Sequence, residues 1–164
     1  TEIYTILFVG SVRWCIRDRA GGRMAITPER VAINCDDFRI PDNKGNQPID
    51  EMIVPDGPAA YFSTLPIKRI VMRLMAAGIP AQVSNSAGTF VCNHVFYGLM
   101  DFMKKEGKGR RGGFIHVPYL PKQAARLKNE PSMSLEMIVE GLTLAIKASV
   151  EIGVDERMTD GVEC

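Results

Sequence analysis

A three-layer α/β/α sandwich around a mostly parallel sheet is the fold that this chain predicts, and three observations carry the prediction. Residues 3–10 form a continuous apolar run suited to a strand buried on both faces; strand-like runs then alternate with helical stretches of 3.6-residue periodicity; and glycine and proline punctuate the joins. The 164 residues, 46% of them hydrophobic, fit one globular domain over residues 1–164 with a sizeable core.

The elements follow in order. Residues 30–35 (Arg-Val-Ala-Ile-Asn-Cys) alternate and read as a shorter strand, whereas residues 38–58 are dense in Pro, Asp, Asn and Gly and read as a long ordered loop. Ser63 or Thr64 then caps a helix with Pro66 in its first turn; Ile67, Ile70, Val71, Leu74 and Met75 share one face, and Gly78-Ile79-Pro80 ends it. Residues 82–85 form the next strand. The helix after Cys92 carries Val95, Phe96, Leu99, Phe102 and Met103 inward and ends in Lys104, Lys105 and Gly107, where cations suit the helix dipole. Residues 112–119 hold a short apolar strand with His116 at its far end, before Pro118. Ser134 opens a final helix with Leu135, Ile138, Val139, Leu142 and Ile146 at core spacing, ending near Gly153.

Composition excludes several function classes. A net charge of +1 calls for no nucleic acid, and the basic stretch Lys104, Lys105, Lys108, Arg110 and Arg111 lacks interleaved aromatics, so it reads as a solvated face. No apolar run approaches the roughly 20 residues that span a bilayer, and the N-terminus lacks the order of a secretory signal, so no membrane partner and a cytoplasmic location are expected. Cys15, Cys35, Cys92 and Cys164 are scattered, without CxxC pairs or zinc spacing, and predict reduced thiols and no metal site. The turn Ala20-Gly21-Gly22-Arg23 has neither Walker nor dinucleotide spacing for a phosphate.

One thiol stands apart. Cys92 follows a small-residue turn at the mouth of a helix, where unpaired amides and the helix dipole stabilise a thiolate. His116, at a strand end, is its candidate base; His94, two residues along the same helix, faces elsewhere and reads as structural. A thiolate–imidazolium pair needs an acid to orient the ring, and spacing alone leaves Glu29, Asp36, Asp37 and Asp42 open. The amide of Cys92 is the expected oxyanion donor, with Arg39 as a further candidate, and Phe114 is a candidate apolar wall for a substrate pocket.

Longer motifs narrow these choices. Ala20-Gly21-Gly22-Arg23, Thr27-Pro28-Glu29-Arg30-Val31-Ala32-Ile33-Asn34, Arg39-Ile40-Pro41-Asp42-Asn43, Gly57-Pro58-Ala59-Ala60-Tyr61-Phe62, Ser86-Ala87-Gly88-Thr89-Phe90-Val91-Cys92-Asn93-His94 and Phe114-Ile115-His116-Val117-Pro118-Tyr119 together resemble the pyrrolidone-carboxylate peptidases, or pyroglutamyl peptidases I. The resemblance runs from about Ala20 to the final helix. It implies a cysteine peptidase that removes N-terminal pyroglutamyl residues from peptides without metal or cofactor, typically as a cytoplasmic homotetramer. The family's triad carries over onto Glu29, Cys92 and His116.

Residues 1–19 depart from the family pattern. The Gly-Phe-Glu-Pro-Phe-Gly-Gly loop that lines the family's lactam pocket is absent, and Asp18-Arg19 stands where the family shows Gly-Gln. The expectation is a chain that keeps the triad but turns over pyroglutamyl substrates slowly. The alternative reading is a truncated, catalytically silent relative acting only as a folded or assembling domain.

Overall fold

Residues 26–30 run through the middle of a mixed sheet, and their hydrogen bonds define it. In the computed structural model, which describes residues 23–42, 44–106, 109–151 and 154–161, the Ile26 amide donates to Pro80 O, Gln82 to Ile26 O, Ser84 to Pro28 O and Arg30 to Ser84 O, at 2.8–3.2 Å. This is a parallel ladder with one rung missing. The missing donor is that of Pro28, which has no N–H, so residues 81–84 register as parallel bridges Ile26 with Ala81 and Glu29 with Ser84. On the other side, β1 (Thr27–Pro28) pairs antiparallel with β4 (Ile115–His116), Thr27 opposite His116. Tyr119 bridges in parallel to Ser132 beyond it. β2 (Val31–Ile33) continues from β1 and pairs antiparallel with β3 (Ala60–Phe62).

Helices cover both faces, as the α/β reading predicts. α1 (Ile67–Ala76) and α4 (Leu135–Val150) lie on one side, where Ile70, Leu74, Ile138 and Ala145 close over Ile26, Val83 and Ile115. α2 (Val91–Glu106) lies on the other, its Phe96, Tyr97 and Met100 packed with Ala32 and Phe114. Ile115 and Phe114 thus serve opposite layers, as successive strand residues must. α3 (Pro121–Ala124) is a single turn after the sheet.

Several helical details differ from expectation for physical reasons. Neither Ser63 nor Thr64 caps α1: Pro66 holds the cap position without a side-chain bond, while Ser63 accepts from the Leu65 amide and Thr64 bonds Gly112. The cap comes from the far end of the chain, where the Asp155 carboxylate accepts from the Lys68 and Arg69 amides at 3.1 and 3.0 Å. At the other end of α1, Gly78 (φ +75°) allows Ile79 N–H to reach Leu74 O and Gly78 N–H to reach Met75 O, a Schellman closure. Asp155→Ala is expected to destabilise the fold by about 1 kcal/mol, the usual worth of a helix N-terminal acceptor, as measured by urea unfolding.

The inward stripes are also rotated from the predicted ones. Met75, Val95, Phe102, Leu135, Val139 and Ile146 are exposed. In α2, Asn93, Tyr97 and Met100 take the inner face with Phe96, Leu99 and Met103. In α4 the buried positions are Ile138, Gly141, Ala145, Ala148 and Ser149, with Leu142 half-buried. Small residues let α4 approach closely, and a Cβ on Gly141 would run into Ile26 Cδ1. The predicted strand 3–10, Cys15, Cys164, Asp18-Arg19, Gly107 and Gly153 fall outside the described residues.

Candidate active site

Backbone pairing at three strand positions creates the candidate site. Thr27 and Glu29 alternate onto the α2 face of the sheet, and the antiparallel register sets His116 opposite Thr27, with the Glu29 amide donating to Phe114 O at 2.8 Å. The Glu29 side chain is fully buried, and His116 Nδ1 lies 2.6 Å from Glu29 Oε1. A carboxylate can only accept, so this contact assigns the ring proton to Nδ1 and leaves Nε2 as the basic nitrogen. Of the acids left open by spacing, Glu29 is therefore the one that meets His116.

Asp36 and Asp42 have separate partners. Asp36 Oδ2 lies 2.6 Å from His94 Nδ1, so His94 forms a second histidine–carboxylate pair of its own. Asp42 accepts from the Lys44 and Asn46 amides and the Asn46 side chain, which holds its carboxyl below the usual range, backbone donation from Asn46 first. Asp37 is exposed.

Arg23, which the motifs leave unassigned, and Phe114, expected as an apolar wall of the pocket, support Glu29 and His116. Arg23 places Nη2 3.1 Å from Glu29 Oε1 and donates from Nη1 to Thr27 Oγ1 at 3.0 Å. It supplies the opposite charge that a carboxylate without solvent access requires. Phe114, 3% exposed, sets its ring edge against the imidazole with centroids 5.0 Å apart, and lies 6.0 Å from the Phe96 ring. The imidazole is thus held by a hydrogen bond at Nδ1 and by an aromatic wall beside it.

Cys92 is the second residue of α2. The amides of a helix's first turn have no carbonyl within the helix to bind, and they carry the positive end of its dipole. The side chain is half-buried and packs against the cluster that includes Phe114 and Phe96. Neither Cys92 nor Cys35 is in a disulfide. Arg39 is exposed in the loop after Phe38, whose ring meets that of Phe90 edge-on at 4.5 Å, two residues before Cys92.

Cys35 follows β2 and is only partly buried. Burial first, then Asp50, Asp37 and Asp36, pushes its thiol above the ordinary value. It is expected to stay protonated at neutral pH, and Cys92 to be carbamidomethylated by iodoacetamide at least about tenfold faster, since the thiolate is the reactive form. Peptide mapping after partial labelling checks this, and faster labelling of Cys35 would contradict it.

Among the described residues no group of histidine, cysteine and carboxylates is arranged to hold a metal ion, and no helix is long and apolar enough to cross a membrane.

The chain matches the family model for pyroglutamyl peptidase over residues 12–152, reaching into the N-terminal stretch that the motifs left aside. It is 59% identical over 146 residues to the pyrrolidone-carboxylate peptidase of Vibrio parahaemolyticus, covering 89% of this chain and 68% of that protein. The Bacillus cereus pyrrolidone-carboxylate peptidase is 58% identical over 84% of this chain and 64% of its own length. Among solved structures, the pyroglutamyl peptidase I of Bacillus amyloliquefaciens superposes with a TM-score of 0.81 at 54% identity, over 85% of this chain and 66% of that one. The pyrrolidone carboxyl peptidase of Thermococcus litoralis gives 0.79 at 44% identity, over 84% and 66%. This chain spans about two thirds of the length of these relatives.

Proposed function

The chain belongs to the pyroglutamyl peptidase family, and on that premise we propose that it hydrolyses the bond after an N-terminal pyroglutamyl residue by thiol catalysis, with Cys92 as nucleophile, His116 as base and Glu29 as orienter. The observation that carries this reading is the 2.6 Å contact between His116 Nδ1 and the buried Glu29, which frees Nε2 for proton transfer on the face of the sheet that α2 covers.

The steps follow from those roles. Nε2 takes the thiol proton, and Sγ attacks the pyroglutamyl carbonyl. The oxyanion is met by the helix-terminal amide of Cys92, with Arg39 as a charged donor from the facing loop. The tetrahedral intermediate collapses as the C–N bond breaks, and the imidazolium returns its proton to the departing amine. Water, deprotonated by His116, then attacks the thioester, releasing pyroglutamate and restoring the thiol. A flat, uncharged lactam suits a pocket with apolar surface and a few amide hydrogen bonds, and Phe114 adds an aromatic wall next to the base. The proposal includes the family's cytoplasmic, homo-oligomeric setting.

The test is release of fluorophore from pyroglutamyl-coumarin amide, compared with the prolyl and glutamyl amides. Turnover of the first alone, abolished by iodoacetamide and unaffected by a metal chelator, is expected. No turnover by the folded chain would leave the site as a folded relic without this activity.

A further inference from the structure

The nucleophile and its base belong to different elements, so something must fix α2 against the strand that carries Glu29. Residues 27–37 form one continuous stretch, β1 through β2 and onward, and its two ends do different work. At Glu29 it binds His116; from Ile33 to Asp37 it grips the turn that presents Cys92. Asp37 N–H donates to Thr89 O and Thr89 Oγ1 to Asp37 O, both at 3.0 Å, and His94 meets Asp36 on the other side of Cys92.

The innermost of these ties is Asn93, adjacent to Cys92 and fully buried. Its Oδ1 accepts from the Ile33 amide at 2.9 Å, and its Nδ2 donates to Ile33 O at 2.9 Å and to Cys35 O at 3.0 Å. The side-chain amide thereby binds both backbone groups of one β2 residue, on the edge turned away from β3, as a neighbouring strand would. Both donors and an acceptor are used at ordinary lengths, so the first turn of α2 has one position along β2 that satisfies all three.

We propose that Asn93 is a positioning residue for the nucleophile: by locking the first turn of α2 to β2 it sets Cys92 at proton-transfer distance from His116. The inference rests on the thiol-peptidase reading of the same site. Asn93 touches no reacting atom in that scheme and acts only through where it holds Cys92.

Asn93→Leu keeps the volume and adds no charge but removes every bond to β2. It is expected to lower kcat for pyroglutamyl-coumarin amide by about 30- to 100-fold with KM within about twofold, as sub-ångström to ångström misplacement of a reacting group does. The pH profile of Cys92 alkylation should move up toward the ordinary thiol range near 8.5, because a thiolate separated from its imidazolium loses that stabilisation. Leu74→Ala, in the other core cluster, is the comparison for lost stability alone: it should leave the alkylation profile of the folded protein unchanged. Asn93→Ser, which retains hydrogen-bonding capacity, serves as a second variant if Asn93→Leu does not fold.

Unchanged kcat and an unchanged alkylation profile in a folded Asn93 variant would overturn the proposal, and so would failure of both variants to fold, which would make Asn93 a folding residue. A wild-type chain without turnover would sink the peptidase reading instead, and the alkylation profiles would still decide the role of Asn93.

Discussion

Cys92→Ala is expected to lower kcat/KM for a pyroglutamyl amide by about 10⁴-fold or more, with no comparable loss of stability. Removal of the proposed attacking atom would close the covalent route altogether, leaving whatever acceleration the oxyanion donors and substrate binding provide. Cys92 is half-buried and packs at the rim of the cluster containing Phe114, so truncation leaves a small void beside aromatic side chains rather than a hole in the main core. A thermal melt within a few degrees of the parent, with turnover at background, is the expected pair of results. Residual turnover above about 1% of the parent would mean that another group performs the attack.

Glu29→Gln is expected to cost about 10³-fold in kcat while leaving KM nearly unchanged. The substitution preserves shape but allows the side chain to present an N–H to Nδ1, which favours the tautomer with its proton on Nε2, the nitrogen that must be basic. Because Glu29 Oε1 also meets Arg23 at 3.1 Å, the same change leaves a partly buried guanidinium beside a neutral amide. The melting temperature should therefore fall by a few degrees, far too little to account for the loss of turnover at a temperature where both proteins are folded. Steady-state kinetics together with calorimetry separates the two effects, and a kcat within tenfold of the parent would remove Glu29 from the role of orienter.

The candidate site was more legible than the packing because its residues sit at punctuated places. Cys92 follows a small-residue turn, His116 precedes a proline, and Glu29 joins two strand runs, so each marks the end or start of an element. Choosing among Glu29, Asp36, Asp37 and Asp42 needed the longer motifs, since which carboxylate faces an imidazole depends on register between β1 and β4, and register is a property of pairing rather than of local pattern. Local pattern groups Arg23 with its glycines as a poor phosphate turn. Its partner Glu29 lies six residues on, and their contact requires the strand alternation that puts Thr27 and Glu29 on one face.

The helices show where periodicity stops informing. A 3.6-residue repeat identifies an apolar stripe but not its centre, and in α4 the helix buries Gly141, Ala145 and Ala148 while Leu135, Val139 and Ile146 face outward, since close approach to α1 and the sheet selects small residues. Proline is disfavoured inside a sheet, yet Pro28 sits in the central strand at the cost of one ladder bond. The segment 154–161 carries no pattern at all. Asp155 nonetheless caps α1, and Asp160 accepts from the Val83 amide through its carboxylate and from Arg30 and Lys68 through its carbonyl, contacts set entirely by tertiary return of the chain.

Covalent catalysis by Cys92 on a pyroglutamyl carbonyl would pass through an acyl-enzyme, and acid quenching during turnover traps it. With an activated pyroglutamyl ester, acylation outruns hydrolysis, and peptide mapping of the quenched protein should find the pyroglutamyl group as a thioester on Cys92, absent from Cys92→Ala and from protein treated with iodoacetamide beforehand. Acylation at another residue, or sustained turnover with no acyl group on Cys92 at any quench time, would contradict it.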